Sequence, residues 1–471
     1  MVAYAYFYVD AIPLFADSDV PWHLATGHLI LSGGTLPAID PWSFTASGQP
    51  WYIISWLWDV SLGVIDRLCG VKILFIFTVA FAALIIASLA HNINDRKEAG
   101  SDALIFTLVL ACLTLVDNVT ARPQLAGYLC IVLFHRHLHK NSNDFRVSGL
   151  LWLIPIMVLW VNTHGSFIVG FTLLGAYLLQ ALHRHQRAQC KRLALISILC
   201  ALSSLINPYG MNIYIAVMHT LHSGITNYVM EWTPFTFGIS IGISALLMVF
   251  ILVSNFREPG IPLADKIISF FWLPFILFAI RNASIFMLVS APYMALSIQR
   301  FLDRLKRFRT ARVDPLHFLH RSGMPLKMAM AAVMLPIASA IMIDTLKGQS
   351  YRIDTDKDIA PAINYLIQHK IGKHLLNNYN WGGRLIYETG GTLPIFIDGR
   401  AGTAYSEETI DDYITFLYMK HGWKQVLEKY RIDAMIVSSN QWFAVAYDNG
   451  DYHNDWEKVY GDEVAEIYRK K

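Results

Sequence analysis

The chain has 471 residues, of which 55% are hydrophobic and 15% are charged. Because soluble proteins average about 25% charged residues, this composition excludes a chain built only of water-soluble domains. The net charge of +3 at pH 7 does not indicate a nucleic-acid partner, and none is expected. The composition instead predicts an integral membrane protein whose main solvent is the lipid bilayer.

Apolar runs long enough to cross a bilayer, or nearly so, recur through residues 1–346, which we interpret as the transmembrane domain. They predict about eleven helices, at 1–16, 70–90, 103–117, 123–138, 148–161, 166–182, 193–206, 241–256, 267–280, 283–299 and 328–344. A long first loop, 17–70, follows the first run. Residues 347–471 alternate charged, turn and apolar residues, as soluble domains do. The predicted fold class is an α-helical polytopic membrane protein with a small soluble α/β C-terminal domain.

Basic residues are divided unevenly between alternate loops of this topology. One set of loops contains 19 Lys and Arg residues and the other set contains three. The basic set consists of 91–102, 135–147, 183–192, 255–266 and 299–327. Since loops rich in Lys and Arg stay in the cytoplasm, the first loop and the C-terminal domain are expected on the outer face of a cell (inner) membrane.

Hydrophobic patterning within the C-terminal domain predicts a mixture of helices and strands. Helices are expected at 359–369 and within 407–431, and strands at 373–376, 393–397, 432–438, 456–460 and 463–468. Asp398 and Arg400 follow one of the predicted strands. They could bind an acceptor or cap a site, or they could form a structural ion pair at the strand end.

The conspicuous polar residues of the membrane domain lie where the predicted helices reach the outer face. They are Asp17, Asp19, His23 and Asp40 in the first loop, and Arg122, Gln124, Asn162, His164, Asn207, Glu231, Arg281 and Asn282 in later outer loops or helix ends. Polar side chains at membrane depth are costly and tend to face a cavity or a partner. The sequence therefore predicts one convergent polar site at the outer membrane boundary.

Structural explanations are open for several of these residues. Asn162 and Asn207 occur in turn sequences, where amide side chains satisfy backbone groups at helix ends. Arg122 and Arg281 could anchor in lipid headgroups, but they are two of only three basic residues in the outer loops, which favours anion binding.

A divalent metal ion is also an open possibility. Asp19 and His23 are four residues apart, so on a helix they share a face and, with Asp17, could hold a metal ion. A hydrogen bond between His23 and Asp19, or a helix-capping role for Asp19, is the alternative. No other cofactor is expected.

At this point the sequence resembles a known family. The pattern Asp19-x-x-Trp22-His23-Leu24-Ala25-Thr26-Gly27, followed by Asp40-Pro41-Trp42-Ser43-Phe44, is similar to the first extracytoplasmic loop of bacterial C-type (GT-C) membrane glycosyltransferases, mannosyltransferase-like members above all. Arg122-Pro123-Gln124, Trp160-x-Asn162-x-His164-Gly165, Asn207-Pro208-Tyr209-Gly210, Trp381-Gly382-Gly383 and Asp398-Gly399-Arg400 also match. The resemblance implies a multi-pass enzyme that uses a polyprenyl-phosphate-linked sugar, with a first-loop acid in its catalytic centre. The motif Asp17-Ser18-Asp19 departs from the adjacent acidic pair of protein O-mannosyltransferases.

On this interpretation the chain transfers a sugar from a polyprenyl phosphate to a hydroxyl of a glycolipid, polysaccharide or protein on the non-cytoplasmic face. Asp19 is the expected base, His23 is expected to orient it, and Asp40 is the second choice for the base. The remaining outer polar residues would bind substrate, with Arg122 and Arg281 on the phosphate. A transporter or flippase of a lipid-linked saccharide, or a non-catalytic envelope-assembly protein, would be the alternative function.

Overall fold

The structure is a computed structural model that describes residues 17–224, 228, 256–258, 260–279, 281–311 and 359–471. The predicted spans at 1–16 and 328–344, and nearly all of the one at 241–256, lie outside the described residues. The helices before residue 312 are α1 Val20–Gly33, α2 Trp56–Cys69, α3 Ile73–Asn94, α4 Ser101–Leu115, α5 Gln124–Lys140, α6 Val147–Leu150, α7 Leu153–Val161, α8 Ile168–His183, α9 Arg187–Ser203, α10 Asn212–His222, α11 Leu263–Trp272, α12 Phe275–Phe278 and α13 Asn282–Ala311.

Several of these helices have the composition of membrane spans. Within the described ranges, Ile73–Asn94, Gly165–His183 and Asn282–Arg304 are long and apolar enough to cross a bilayer, and Ser101–Leu115 and Val147–Val161 are apolar but shorter. Large apolar side chains such as Ile76 and Leu84 stay exposed on these helices, as expected for lipid contact. A membrane location is therefore supported, whereas the number of about eleven spans stays a prediction.

A buried ion pair joins three helices at the end of the bundle away from the first loop. Arg96, just after α3, lies 3.0 Å from Asp265 of α11, and the same carboxylate lies 3.0 Å from His135 of α5. The Arg96 guanidinium also donates to the carbonyl oxygen of Asn92 at 2.8 Å. Since buried charges need both a counter-charge and hydrogen bonds, these contacts fix the relative positions of α3, α5 and α11.

The C-terminal domain, described from residue 359, is an α/β unit. Its elements are α14 Ala360–His369, β1 Leu375–Asn377, α15 Gly382–Thr389, α16 Ala401–Ala404, α17 Glu407–Leu417, α18 Trp423–Lys429, β2 Ala434–Ser438, α19 Trp442–Asp448, β3 Trp456–Gly461 and β4 Ala465–Lys470. The sheet order is β1-β2-β4-β3, with β1 parallel to β2 and the other two pairs antiparallel. The predicted α/β class of this domain and four of its five predicted strands are confirmed.

The predicted strand at 393–397 differs, because it forms single bridges instead of a regular ladder. Ile395 bridges Leu375 of β1 on one side and Ser43 of the first loop on the other. The side chain of Asn377 takes the place of further ladder bonds, since its Oδ1 accepts from the Phe396 amide at 2.8 Å. The first loop thus continues the edge of the C-terminal sheet.

Close backbone contacts bring the C-terminal domain onto the first loop. Helix α15 packs against α1, and a Cβ on Gly383 would lie only 2.6 Å from the carbonyl oxygen of Ser18. On a neighbouring face, a Cβ on Gly402 would lie 2.6 Å from Cα of Thr220 at the end of α10. The first loop and the C-terminal domain are therefore in direct contact, while their location on the outer face of the membrane stays a prediction.

Candidate active site

Asp19 lies in the turn just before α1. Pro21 occupies the first turn of α1, where no backbone N–H is needed, and the Asp19 side chain makes no capping hydrogen bond. Its Oδ1 accepts from Trp22 Nε1 at 3.2 Å. The backbone amide of Asp19 is held by Asp17 Oδ1 at 3.0 Å. The turn therefore leaves the Asp19 carboxylate available to a partner from another helix.

That partner is Arg122, which precedes α5 in the chain by two residues. One guanidinium nitrogen contacts Asp19 Oδ2, and another lies 3.7 Å from Asp17 Oδ2. All three side chains are about 15% exposed. The Arg122 guanidinium thus bridges two acids, and the group formed by Asp17, Asp19, Trp22 and Arg122 is here called the Asp19 site. The structure thus brings a first-loop acid into contact with an arginine that precedes another helix.

His23 does not bond to the Asp19 carboxylate, although it was expected to orient it. Its Nδ1 lies 2.6 Å from Asp59 Oδ1 of α2, and Ser55 Oγ donates to the same carboxylate at 3.1 Å. Burial raises the pKa of Asp59, while the hydrogen bonds and charge of His23 oppose that shift. Asp59 was missed in the sequence, where its only signal is an acid inside the apolar run Trp56-Leu57-Trp58-Asp59-Val60.

A glycine contact explains why α1 and α2 can approach closely enough for this pair. A Cβ on Gly27 would overlap the carbonyl oxygen of Asp59, and a Cβ on Gly63 would lie 2.9 Å from the carbonyl carbon of Gly27. Without side chains at these two positions, the helix backbones touch. His23 and Asp59 are therefore a buried structural pair at the base of the site.

His164 and Arg281 lie close to each other, and His164 also lies close to Arg122 of the Asp19 site. His164 Nδ1 accepts from the backbone amide of Ser166 at 3.1 Å. Burial, together with the positive charges of Arg281 and Arg122, lowers the pKa of His164 to about 3, so the imidazole is neutral near pH 7. Both predicted phosphate-binding cations thus act electrostatically on one side chain. Arg281 is half-buried at the beginning of α13.

The predicted amide ligands have structural roles in the described contacts. Asn162 accepts from Trp56 Nε1 at 2.8 Å and donates to the carbonyl oxygens of Val158 and Ile206. Asn207 closes its own turn by accepting from the Tyr209 amide at 2.8 Å.

The other predicted substrate-binding residues lie near helix starts or outside the described part of the chain. Asn282 donates to the carbonyl oxygen of Phe275 at 2.9 Å. Gln124 is buried at the first turn of α5. Glu231 lies outside the described residues.

Asp40 is part of a buried network centred on Arg400. Arg400 Nη1 lies 2.6 Å from Asp40 Oδ1, and Nη2 lies 2.6 Å from Asp398 Oδ2. Ser43 accepts from Nη2 at 3.0 Å and Tyr405 donates to Asp398 at 2.9 Å. These five residues, Asp40, Ser43, Asp398, Arg400 and Tyr405, are called the Arg400 network below.

Both carboxylates of the Arg400 network are fully buried. Burial alone would lower the pKa of Arg400, but Asp398, Tyr405 and Asp40 raise it well above its ordinary value. Asp40 is therefore a charge partner that joins the first loop to the C-terminal domain. Of the two open explanations for Asp398 and Arg400, the geometry favours the structural ion pair.

Gly399 and Tyr379 of the C-terminal domain also approach the Asp19 site, and neither was singled out individually from the sequence. A Cβ on Gly399 would overlap Asp19 Oδ1 and lie 2.9 Å from Trp22 Nε1. Burial and the charges of Asp19 and Asp398 raise the pKa of Tyr379 well above its ordinary value, so its hydroxyl stays protonated near both acids. The C-terminal domain thus forms one wall of the site.

The residues predicted for a metal ion do not gather into a coordination shell. Asp17 and Asp19 contact the Arg122 guanidinium, whereas His23 contacts Asp59. In the part of the chain that the structure describes, no three His, Cys, Asp or Glu side chains are grouped to hold a metal ion. The arrangement fits a guanidinium between the acids better than it fits a metal ion.

Comparisons with known proteins found a likeness of fold and no likeness of sequence family. No family model and no curated protein matches the chain. A solved structure of the archaeal oligosaccharyltransferase AglB from Archaeoglobus fulgidus, in complex with an inhibitory peptide and a dolichol-phosphate, has a TM-score of 0.59 at 10% identity and covers 89% of this chain. This chain spans 65% of that protein's length.

A second structure shows the same likeness. It is the Archaeoglobus fulgidus oligosaccharyltransferase tethered to an acceptor peptide with an NVT sequon, with a TM-score of 0.53 at 12% identity. The match covers 97% of this chain and 70% of the chain of that oligosaccharyltransferase. AglB is a GT-C membrane glycosyltransferase. At such identities the likeness is one of fold, and it confirms the predicted resemblance to GT-C proteins at that level.

Proposed function

We propose that the chain is a hexosyltransferase-like glycosyltransferase of the cell (inner) membrane, which moves one sugar from a polyprenyl phosphate to an acceptor hydroxyl on the non-cytoplasmic face. The observation that carries the proposal is the contact of Asp19 with Arg122, from a different helix, under a wall of the C-terminal domain. The GT-C fold supports it, since the neighbours were solved with a dolichol-phosphate or an acceptor peptide.

The chemistry assigns one task to the acid and another to the cations. The acceptor oxygen forms a bond to the anomeric carbon as the bond from that carbon to the phosphate oxygen breaks, and the electron pair stays on the phosphate. Asp19 takes the hydroxyl proton, as a general base must do within hydrogen-bond reach. Arg122 and Arg281 stabilise the negative charge that develops on the phosphate. Because a guanidinium has five N–H donors, Arg122 can hold Asp19 and still donate to phosphate.

A direct assay separates this function from transport. Purified protein in lipid is supplied with polyprenyl-phosphate mannose and, in separate samples, with glycolipid, polysaccharide or peptide acceptors, without any ion gradient. We expect release of polyprenyl phosphate together with one glycosylated acceptor. Gradient-dependent movement of the intact donor across the bilayer, with no bond cleaved, would overturn the proposal in favour of a transporter, and no change in the donor would favour an assembly protein.

We propose further that Arg122, and not a divalent metal ion, supplies the positive charge between Asp17 and Asp19. Purified wild-type protein is then expected to leave the electron paramagnetic resonance signal of added Mn²⁺ unchanged, and its turnover should persist in chelator. The variant Arg122→Ala removes the cation, so the two acids are expected to bind Mn²⁺ weakly, whereas Arg67→Ala, at an exposed cation away from the site, should not. Saturable Mn²⁺ binding by the wild type that Asp19→Asn abolishes would contradict this assignment.

A further inference from the structure

We infer that Asp398-Gly399-Arg400 is a positioning element of the Asp19 site, which fixes the Asp19 carboxylate by pressing the Gly399 backbone against it. The inference deepens the proposed function and rests on it. It makes the C-terminal domain a part of the active site and not a separate binding module.

The first step is that both chain neighbours of Gly399, Asp398 and Arg400, are fixed by hydrogen bonds and ion pairs. Asp398 Oδ1 accepts from the Arg400 backbone amide at 2.8 Å and from Arg400 Nε at 2.9 Å. The Arg400 guanidinium also lies against two first-loop rings, 4.8 Å from the centroid of Trp42 and 4.7 Å from that of Trp51. Gly399 therefore cannot shift without breaking buried charge contacts or desolvated cation–π contacts.

The second step is that two further glycines of the C-terminal domain allow its backbone to pack closely against the turn before α1. A Cβ on Gly382 would lie 2.6 Å from Asp398 Cβ, and one on Gly383 would lie 3.2 Å from Trp22 Cδ1 as well as close to Ser18. Real Cβ atoms do not tolerate such distances to rigid neighbours. These positions therefore accept glycine alone while the present backbone path is kept.

The third step concerns the orientation of the carboxylate. Asp19 Oδ1 faces Gly399 and Trp22 Nε1, and Oδ2 faces the Arg122 guanidinium. Both oxygens thus have fixed surroundings supplied by three separate parts of the chain. Pre-organisation of this kind matters for a base, since a misplacement of about 1 Å can lower the rate about 100-fold.

The test substitutes Gly399→Ala, with Gly33→Ala as the matched control, because a Cβ on Gly33 at the end of α1 would meet no atom within 4 Å. Gly399→Ala is expected to lower kcat about 10- to 100-fold with little change in KM for polyprenyl-phosphate mannose. Gly33→Ala should change neither constant. Unchanged kcat in a folded Gly399→Ala protein overturns the inference.

A double-mutant cycle tests the contact without any activity measurement. If Gly399 presses on the Asp19 carboxylate, the fall in Tm caused by Gly399→Ala should be smaller in an Asp19→Ala background, where the space is open. Additive changes in Tm overturn the inference even when the wild type is active. If the wild type is inactive but the changes in Tm are not additive, the proposed function is overturned. The contact of Gly399 with Asp19 would then be established without a catalytic role.

Discussion

Asp19→Asn is expected to lower kcat by about 10²- to 10⁴-fold while the affinity for donor lipid stays close to that of the wild type. The amide has nearly the shape of the carboxylate, and its single oxygen can still accept a hydrogen bond from the Arg122 guanidinium, while its NH2 group no longer accepts the one from Trp22 Nε1. It cannot take a proton from the acceptor hydroxyl at neutral pH. Removal of a base therefore affects the transition state more than the bound ground state.

The measurements are kcat and the dissociation constant for polyprenyl-phosphate mannose, on protein checked for normal membrane insertion. Asp144→Asn serves as the control, because Asp144 is an exposed acid paired locally with Arg146, and it should have no effect. Near wild-type turnover in Asp19→Asn would assign the base elsewhere, with Asp17 the nearest acid. Asp40 would then need to leave its buried contact with Arg400 to act.

Arg400→Met is expected to destabilise the protein by about 3–5 kcal/mol, because it leaves Asp40 and Asp398 buried without a counter-charge. The matched control is Arg469→Met, which breaks an exposed pair between Arg469 of β4 and Glu457 of β3. Exposed pairs of that kind contribute about 0–1 kcal/mol. Thermal unfolding in detergent measures both effects, and equal losses in the two variants would contradict the central role of Arg400.

The destabilisation by Arg400→Met should come from the unpaired charges of Asp40 and Asp398. Asp40→Asn combined with Asp398→Asn removes both charges and should relieve part of the defect in the Arg400→Met background. No relief in the triple variant would mean that lost packing, and not unpaired charge, is its cause.

The sequence by itself determined the features that depend on solvent and on local pattern. Apolar runs predicted the helical membrane class, and the charge division of the loops predicted that the first loop and the C-terminal domain share one side. Polar residues collected at the outer helix ends, so one convergent site could be predicted, and Asp19 and Arg122, which are 103 residues apart, both belong to it. The reason is that a bilayer leaves few positions for such groups.

Only the tertiary structure decided which polar groups became partners. The spacing of Asp19 and His23 suggested a shared helix face, but the Asp19 carboxylate contacts Trp22 and Arg122, whereas His23 pairs with Asp59. The sequence made Asp40 a candidate base, but in the structure its carboxylate pairs with Arg400, which lies 360 residues later in the chain. The contact of Gly399 with Asp19 carries no local signal at all, because a glycine shows its function only when another backbone or side chain occupies the space its missing Cβ leaves.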